Sequence, residues 1–328
     1  RTDREGERRF VEGAGSDQPL PGLRILILKP SSFGDIVHGL LVAERIRFQL
    51  PEARIDWVAR DRFADLVEAS GLVRKTYRFE RSPAGFFRIL RELRGEEYEA
   101  VLDFQGLARS GLMSLASRAK VKIGRFDARE GSRFFHRILT PPPPGKPPFH
   151  AVDILRQFQR PLGLYDLDPG CLEFPGSRPA ARTPPDGSIL LFPESRRPEK
   201  EWPGFPELAR NLVRRYPGRA VALCGTGPKA APADGPVAPL DFRGDIPVGS
   251  LPDALRCAAA IVANDSGPVH LAAAMGRPVV AVFGPTDPAR FGPYPPGSAA
   301  NRVVRGENGD VSRVPVAGVE AALAELLP

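Results

Sequence analysis

Short apolar runs alternate with amphipathic stretches along most of this chain. The first apolar run covers residues 24–29, a polar turn follows at 30–35, and a helical pattern of apolar positions covers 36–50. A short apolar run bounded by turn residues predicts a buried strand, and apolar positions three and four apart predict a helix that faces a core. Strand, tight turn and helix in this order are typical of the start of an α/β domain.

The same alternation continues to the C-terminus. Apolar runs predict further strands at residues 55–59, 100–104, 122–124, 188–192, 220–224, 260–263 and 279–283. Helical periodicity predicts helices at residues 63–70, 86–93, 110–119, 151–162, 205–215, 251–259, 268–275 and 316–327. Gly276 follows one of these patterns directly, at the position where a glycine commonly ends a helix. The chain is therefore predicted to be an α/β protein.

Breaks in this periodicity divide the chain. Residues 1–21 are charged with few apolar positions, which predicts a disordered leader. Residues 166–187 are rich in Pro, Gly and Arg, and we interpret them as a linker between a first lobe, 22–165, and a second lobe, 188–328. We expect the C-terminal helix to be able to pack back on the first lobe. Such sheets bind ligands at the carboxyl ends of their strands, so the cleft between the lobes is the expected site.

Composition excludes some classes of protein. No run of about 18 apolar residues predicts a transmembrane helix, and no secretory signal opens the chain. Cys171, Cys224 and Cys257 are too widely spaced for a disulfide framework or a zinc site, so we interpret them as reduced, mostly buried thiols of a cytoplasmic protein. The formal charge of +7 fits an anionic partner, but the 37 prolines and 33 glycines also fit the arginine-rich composition of a high-GC genome.

The first polar turn, residues 31–38, lies at the carboxyl end of the first predicted strand. Gly34 permits a close approach of the backbone. Asp35 falls at the opening of the following helix, where it is either a helix cap or a general base that faces the cleft. The local pattern does not choose between these roles. The turn lacks the glycine spacing of a P-loop or of a dinucleotide-binding turn, which excludes a dinucleotide-dependent dehydrogenase.

A second polar turn, residues 263–270, joins another strand to a helix that begins near Pro268. Backbone N–H groups at a helix start form an anion site, and the Ser266 hydroxyl adds a donor, so a diphosphate fits there. The alternative is that Asp265 is a cap and His270 a core or capping histidine.

A third polar segment, residues 193–203, follows the first strand of the second lobe. Lys200 is positioned to bring a positive charge to a leaving phosphate, although most lysines are solvated surface residues. Trp202 is expected to anchor the segment.

Together these segments resemble the bacterial lipopolysaccharide heptosyltransferase family, nucleotide-sugar enzymes of the GT-B architecture. The similarity runs in order from about Arg24 to the C-terminal helix and is closest to the heptosyltransferase I members. It also includes residues 103–107, 128–130, 150–152 and 283–288.

The resemblance implies two Rossmann-like β/α/β lobes that face each other across a cleft. It implies that the first lobe binds a Kdo sugar on lipid A and the second binds ADP-L-glycero-D-manno-heptose, with an inverting transfer between them. It also implies a cytoplasmic enzyme, peripheral on the inner face of the inner membrane. We expect no nucleic-acid partner, no cofactor and, because the sequence has no metal-ligand cluster, no metal.

The resemblance also assigns roles to residues. Asp35 matches the catalytic base, and Lys200 matches the lysine that holds the donor phosphates. The remaining donor-side residues are Ser195, Arg196, Asp265, Ser266, Gly267 and His270. The acceptor-side residues are Ser31, Ser32, Gly34, Gln105 and Arg129.

One departure from the family leaves alternatives open. The family usually carries a glutamate shortly after the glycine-rich turn of the donor lobe, and residues 224–234 contain none. The identity of the nucleotide base in the donor is therefore open. A related GT-B enzyme with another nucleotide sugar or acceptor is an alternative. A second alternative is a non-catalytic paralogue that binds nucleotide or lipid. The presence of Asp35, Lys200 and Asp265 argues against it.

Two stretches, residues 86–94 and 132–139, combine apolar and basic side chains. Such stretches fit contact with an anionic membrane surface or with lipid A phosphates. The alternative is that both are ordinary amphipathic core helices.

Overall fold

The computed structural model describes residues 22–227 and 238–327. The predicted leader, 1–21, and most of the segment without a glutamate lie outside the described residues. The chain divides into two compact units between Gly170 and Cys171, inside the segment that we interpret as a linker. The residues directly after this division pack on the second unit. Leu172 donates a backbone hydrogen bond to the Ala274 carbonyl (2.7 Å), and Phe174 is buried.

The first unit contains a parallel sheet with the strand order β3-β2-β1-β4-β5-β6. Its strands are β1 (Arg24–Leu28), β2 (Arg54–Arg60), β3 (Lys75–Phe79), β4 (Glu97–Asp103), β5 (Arg118–Gly124) and β6 (Ile138–Leu139). Its helices are α1 (Phe33–Gln49), α2 (Asp61–Ala69), α3 (Pro83–Leu93), α4 (Ala108–Ala116) and α5 (Ala151–Arg156).

The second unit contains a parallel sheet with the order β12-β11-β10-β7-β8-β9. Its strands are β7 (Ile189–Phe192), β8 (Val221–Leu223), β9 (Leu240–Asp241), β10 (Ala260–Asn264), β11 (Val279–Phe283) and β12 (Asn301–Arg305). Its helices are α6 (Phe205–Arg215), α7 (Leu251–Cys257), α8 (Gly267–Ala274), α9 (Pro288–Phe291) and α10 (Val316–Ala324).

Both sheets have the same strand order when each is numbered from its own first strand. That order, 3-2-1-4-5-6, is the doubly wound order whose chain reverses direction between the first and fourth strands. Ligands bind outside the carboxyl ends of the strands at this switch point. The fold therefore directs attention to the ends of β1 and β4 in the first unit and of β7 and β10 in the second.

Helices cover both faces of the central strands. Every residue of β7, β10 and β11 is buried, as expected for parallel strands between two helical layers. The C-terminal helix α10 packs on α6, β11 and β12 of its own unit, where Val319 and Leu323 join the core.

Several predicted elements change at their ends. The helix predicted at 110–119 stops at Ala116, because residues 118–124 form strand β5. The helix predicted at 151–162 ends at Arg156 and is followed by a separate 3-10 turn, Arg160–Leu162. Residues 132–139 are not a helix but a 3-10 turn, Ser132–Phe135, and strand β6.

The end of helix α8 and the burial of the three cysteines were both predicted from the sequence. Gly276 follows α8 with a φ of +65°, which confirms it as the glycine that ends this helix. Cys224 is buried, but Cys171 and Cys257 are exposed, so the prediction of mostly buried thiols is wrong.

Candidate functional site

Asp35 lies in the first turn of α1, just beyond the end of β1. The Ser32 backbone N–H donates to its Oδ2 (3.1 Å), and so does the Ser32 hydroxyl, which confirms the capping role. Its Oδ1 lies 3.2 Å from the Lys29 ammonium, and 43% of its side chain is exposed. The carboxylate therefore caps the helix and is also accessible at the carboxyl edge of the sheet.

Charge around Asp35 keeps it ionised. Burial acts to raise the pKa of this carboxyl, but the positive charge of Lys29, the Ser32 hydrogen bonds and His38 outweigh burial and hold it well below its ordinary value. Asp35 is thus a carboxylate at any ordinary working pH.

The end of β4 is organised by a second carboxylate, Asp103, which is fully buried. Its Oδ1 accepts from the backbone N–H groups of Gln105 and Gly106, both at 3.0 Å, and its Oδ2 accepts from two serine hydroxyls. Oδ2 also lies 3.4 Å from Nε2 of His136, whose pKa is lowered by burial. Asp103 therefore shapes the turn rather than facing solvent.

This turn brings the predicted acceptor-side residues to the edge that carries Asp35. Gln105 donates its backbone N–H to Leu28 at the end of β1 (3.1 Å), and its side-chain Oε1 has no hydrogen-bond partner within the described part of the chain. Arg129 is exposed and donates its backbone N–H to Gly106 (2.9 Å). Ser31 is half-buried and Gly34 is buried beside Asp35.

In the second unit, Lys200 and Asp265 meet at the switch point between β7 and β10. The Lys200 ammonium donates to Asp265 Oδ2 at 2.5 Å, and their side chains are only 13% and 4% exposed. The Thr286 hydroxyl donates to the same oxygen, and His270 Nε2 lies 4.0 Å from Oδ1. Lys200 is therefore not a solvated surface lysine but part of a cluster with Asp265 after β10, His270 on α8 and Thr286 after β11.

The cluster borders the start of α8. Ser266 precedes the helix in an extended conformation, and its Oγ has no hydrogen-bond partner among the described residues. Gly267 and Pro268 open the helix, so the first-turn N–H groups, the free hydroxyl and the Lys200 ammonium can act together. Backbone donors at a helix start combined with a cation form an anion-binding arrangement.

Asn264 positions the segment that carries Lys200. Its amide donates to the Pro193 carbonyl (2.7 Å) and accepts from the Trp202 backbone N–H (3.1 Å). The indole of Trp202 is buried and donates to Val314 (2.9 Å), which confirms Trp202 as the anchor. The loop is held at both ends by these contacts.

Ser195 and Arg196 lie on the same loop but are not assembled into the cluster. Ser195 accepts a bond from Arg197 N–H at 3.3 Å, and its own N–H donates to Glu201. Arg196 is exposed, and within the described ranges no contact joins its side chain to Asp265.

The comparison with protein families decides the class. The model of glycosyltransferase family 9, the heptosyltransferases, matches residues 86–316, more than half of the chain. This chain belongs to glycosyltransferase family 9. It is therefore a glycosyltransferase, and the match includes the Lys200–Asp265 cluster.

Relatives agree with this assignment. Lipopolysaccharide heptosyltransferase 1 of Escherichia coli is 29% identical over 301 residues, which cover 83% of this chain and 91% of that protein. The enzyme of the same name from Pseudomonas aeruginosa is 28% identical over 295 residues, which cover 83% and 81%. The solved Escherichia coli heptosyltransferase WaaC with ADP matches at a TM-score of 0.78 and 24% identity, covering 93% of this chain and 100% of that one. The GT-B fold predicted for this family 9 chain is confirmed.

Sequence reasoning missed three residues of this family 9 enzyme. Lys29, at the end of the first apolar run, contacts Asp35, and Thr286, in the 283–288 segment, contacts Asp265. Glu194 accepts hydrogen bonds from the backbone N–H groups of Thr226 (2.7 Å) and Gly227 (2.9 Å) in the glycine-rich turn after β8. Their positions at or shortly after the ends of predicted strands are the signal that could have indicated them as candidate site residues.

Metal-binding groups and membrane-spanning helices are both absent from the described residues. In residues 22–227 and 238–327, no three His, Cys, Asp or Glu side chains are grouped so that they could hold a metal ion. Over the same ranges, no helix has the length and apolar character needed to cross a membrane.

Proposed function

We propose that this enzyme transfers L-glycero-D-manno-heptose from ADP-heptose to the Kdo region of the lipopolysaccharide inner core, with inversion at the anomeric carbon. The observation that carries the proposal is the accessible, ionised Asp35 at one switch point together with the anion-binding cluster of Lys200 and α8 at the other. The names of the relatives, lipopolysaccharide heptosyltransferases, and the ADP of the solved one support the same substrates.

The reaction is a single displacement. An acceptor hydroxyl oxygen attacks the anomeric carbon, the bond from that carbon to the diphosphate oxygen breaks, and Asp35 takes the hydroxyl proton. ADP leaves with the bonding electrons, and Lys200 and the first-turn N–H groups of α8 stabilise its growing negative charge. Because these groups supply the positive charge, we propose that the transfer requires neither a metal nor another cofactor.

A donor panel tests the proposal. Purified protein is mixed with ADP-heptose, a GDP-sugar or a UDP-sugar, and its melting temperature is measured, followed by a transfer assay with Kdo-lipid A. We expect ADP-heptose to raise the melting temperature most, because a ligand that binds only the folded state stabilises it. We also expect it to be the donor that supports transfer.

The other outcomes separate the alternatives. A larger shift and transfer with another nucleotide sugar would indicate a related GT-B enzyme with a different donor. Binding of ADP-heptose without transfer to Kdo-lipid A would indicate a different acceptor or a non-catalytic paralogue.

We further propose that the enzyme works at the cytoplasmic face of the inner membrane as a peripheral protein. Phe87 and Phe134 are 70% and 84% exposed, and Leu112 and Leu115 are exposed beside them. They lie on α3, α4 and the 3-10 turn before β6, and α4 packs against both of the others. We call this surface the α3–α4 face.

Charge on the α3–α4 face supports an anionic bilayer as its partner. Its exposed basic residues are Arg88, Arg91, Arg109 and Arg133, and Arg94 and Arg137 follow shortly after α3 and the 3-10 turn. Arg88 also pairs with Glu80 and Glu92. Exposed phenylalanines that enter the headgroup region, surrounded by arginines, suit anionic lipids.

Replacing both phenylalanines should weaken this binding. For the Phe87→Ser, Phe134→Ser double variant we expect the Kd for vesicles of anionic phospholipid to rise by at least about tenfold, because fully burying one Phe contributes about 1.5–3 kcal/mol. Phe48→Ser is the matched control, since Phe48 is 65% exposed on α1 of the same unit. Vesicle co-sedimentation provides the measurement, and equal binding by both variants would argue against the α3–α4 face.

A further inference from the structure

Lys29 is a lysine whose side chain is only 2% exposed, at the end of the apolar strand β1. The indole N–H of the buried Trp57 donates to its carbonyl (3.1 Å), which fixes the backbone there. Its ammonium donates to the Phe104 carbonyl (3.2 Å) and lies 3.2 Å from Asp35 Oδ1. One cation therefore joins the ends of β1 and β4 to the first turn of α1.

The ammonium charge of Lys29 is not needed to fill the space between β1 and β4. Burying an ammonium group carries a large desolvation cost, and apolar side chains of similar volume often replace buried ion pairs without loss of stability. Asp35 does not require the pair for its own solvation either, since 43% of its side chain is exposed and Ser32 donates to it twice. The position of the charge therefore has to be explained by what it does to Asp35.

We propose that Lys29 is a positioning residue that fixes the orientation of the Asp35 carboxylate. This inference rests on the proposed role of Asp35 as the base. The two Asp35 oxygens are held from different sides: Lys29 contacts Oδ1, and Ser32 donates to Oδ2. This leaves the carboxylate little freedom to rotate away from an acceptor hydroxyl.

Four other charged or titratable groups lie near the Lys29–Asp35 pair. His38 on α1 faces Asp35, while Asp103 on β4 and Arg125 after β5 face Lys29. Burial lowers the pKa of Lys29, the charge of Asp35 opposes this, and Arg125 lowers it further. Arg125 also donates to the Phe104 carbonyl (3.2 Å), but its guanidinium is paired with Asp127, so Lys29 is the cation that contacts Asp35.

The pair also has a consequence after transfer. When Asp35 accepts the proton from the acceptor hydroxyl, the buried Lys29 charge loses its neutralising partner. A protonated Asp35 beside a buried cation is unfavourable, so its proton is released to solvent quickly and the base is restored for the next turnover.

The test compares Lys29→Met, Lys29→Arg and Asp35→Asn with the wild-type full-length protein, assaying transfer between pH 4 and 9. In Lys29→Met we expect kcat to fall by about 100-fold through misplacement of the base, with an unchanged donor KM. We also expect an acid limb to enter its kcat/KM profile between pH 4 and 9, where wild-type Asp35 stays ionised, because burial still raises the pKa of Asp35 and the Lys29 charge that opposed it is gone. Lys29→Arg keeps the charge, so no such limb should enter this range while kcat falls less.

The outcomes are separable. A wild-type kcat and pH profile in Lys29→Met, with Asp35→Asn inactive, would overturn the role of Lys29 but not that of Asp35. Substantial transfer by Asp35→Asn would instead overturn the base that the proposed function requires. If Lys29→Met shows no cooperative melting transition, Lys29→Arg decides. A lower kcat at unchanged KM, with no acid limb between pH 4 and 9, supports the proposal, and an unchanged kcat overturns it.

Discussion

The Asp35→Asn variant is expected to lose transfer while it keeps its affinity for the donor. Asparagine has the same shape but cannot accept the acceptor proton, and general-base catalysis contributes about 100- to 10,000-fold to a rate. The donor affinity should change little, because the residues assigned to the donor phosphates belong to the second unit. Steady-state transfer to Kdo-lipid A and calorimetric titration with ADP measure the two quantities.

A carboxylate at the equivalent place on the next βα unit provides the control. Asp61 lies in the first turn of α2, directly after β2, is exposed and contacts Arg78 at 3.4 Å. Asp61→Asn should therefore transfer at close to the wild-type rate. Since Asp35→Asn also leaves the buried Lys29 facing an amide, its melting curve should be recorded, and transfer above about one tenth of wild type in a folded Asp35→Asn would contradict the assignment.

The Lys200→Ala variant is expected to weaken both donor binding and turnover. Removing a group that stabilises charge developing in the transition state costs about 100- to 1,000-fold in kcat. Donor binding should also weaken, because Asp265, only 4% exposed, loses its cation and leaves an uncompensated negative charge beside the position proposed for the diphosphate. Titration with ADP and steady-state kinetics give the two effects separately.

This second effect can be isolated. Adding Asp265→Asn to Lys200→Ala should restore part of the ADP affinity, because the uncompensated charge is removed, and the four proteins form a double-mutant cycle with a measurable coupling energy. Arg197→Ala is the matched control, as Arg197 lies exposed on the same loop and pairs with Glu199 (2.6 Å) rather than with the cluster. If Lys200→Ala bound ADP as tightly as Arg197→Ala, the assignment of Lys200 to the donor phosphates would be wrong.

The central strands could be predicted from the sequence because both of their faces are buried. Strands β7, β10 and β11 are apolar runs, apart from Asn264 at the end of β10, with every residue buried, and each was predicted within one residue at its ends. The strands that were missed are β3, β6, β9 and β12. All four lie at the edges of their sheets, where polar side chains and short length remove the apolar signal.

The sequence by itself determined the three polar segments and their order along the chain, which was sufficient to recognise the family and to single out Asp35, Lys200 and Asp265 as candidate site residues. The partners of these residues were decided only by the tertiary structure. Lys200 and Asp265 are 65 positions apart, and Lys29 reaches Phe104 across 75. They meet because the fold pairs β7 with β10 and β1 with β4, out of chain order. Hydrophobic periodicity records which face of a strand is buried but not which strand lies beside it, so the buried Lys29 beside Asp35 could be recognised only from the tertiary structure.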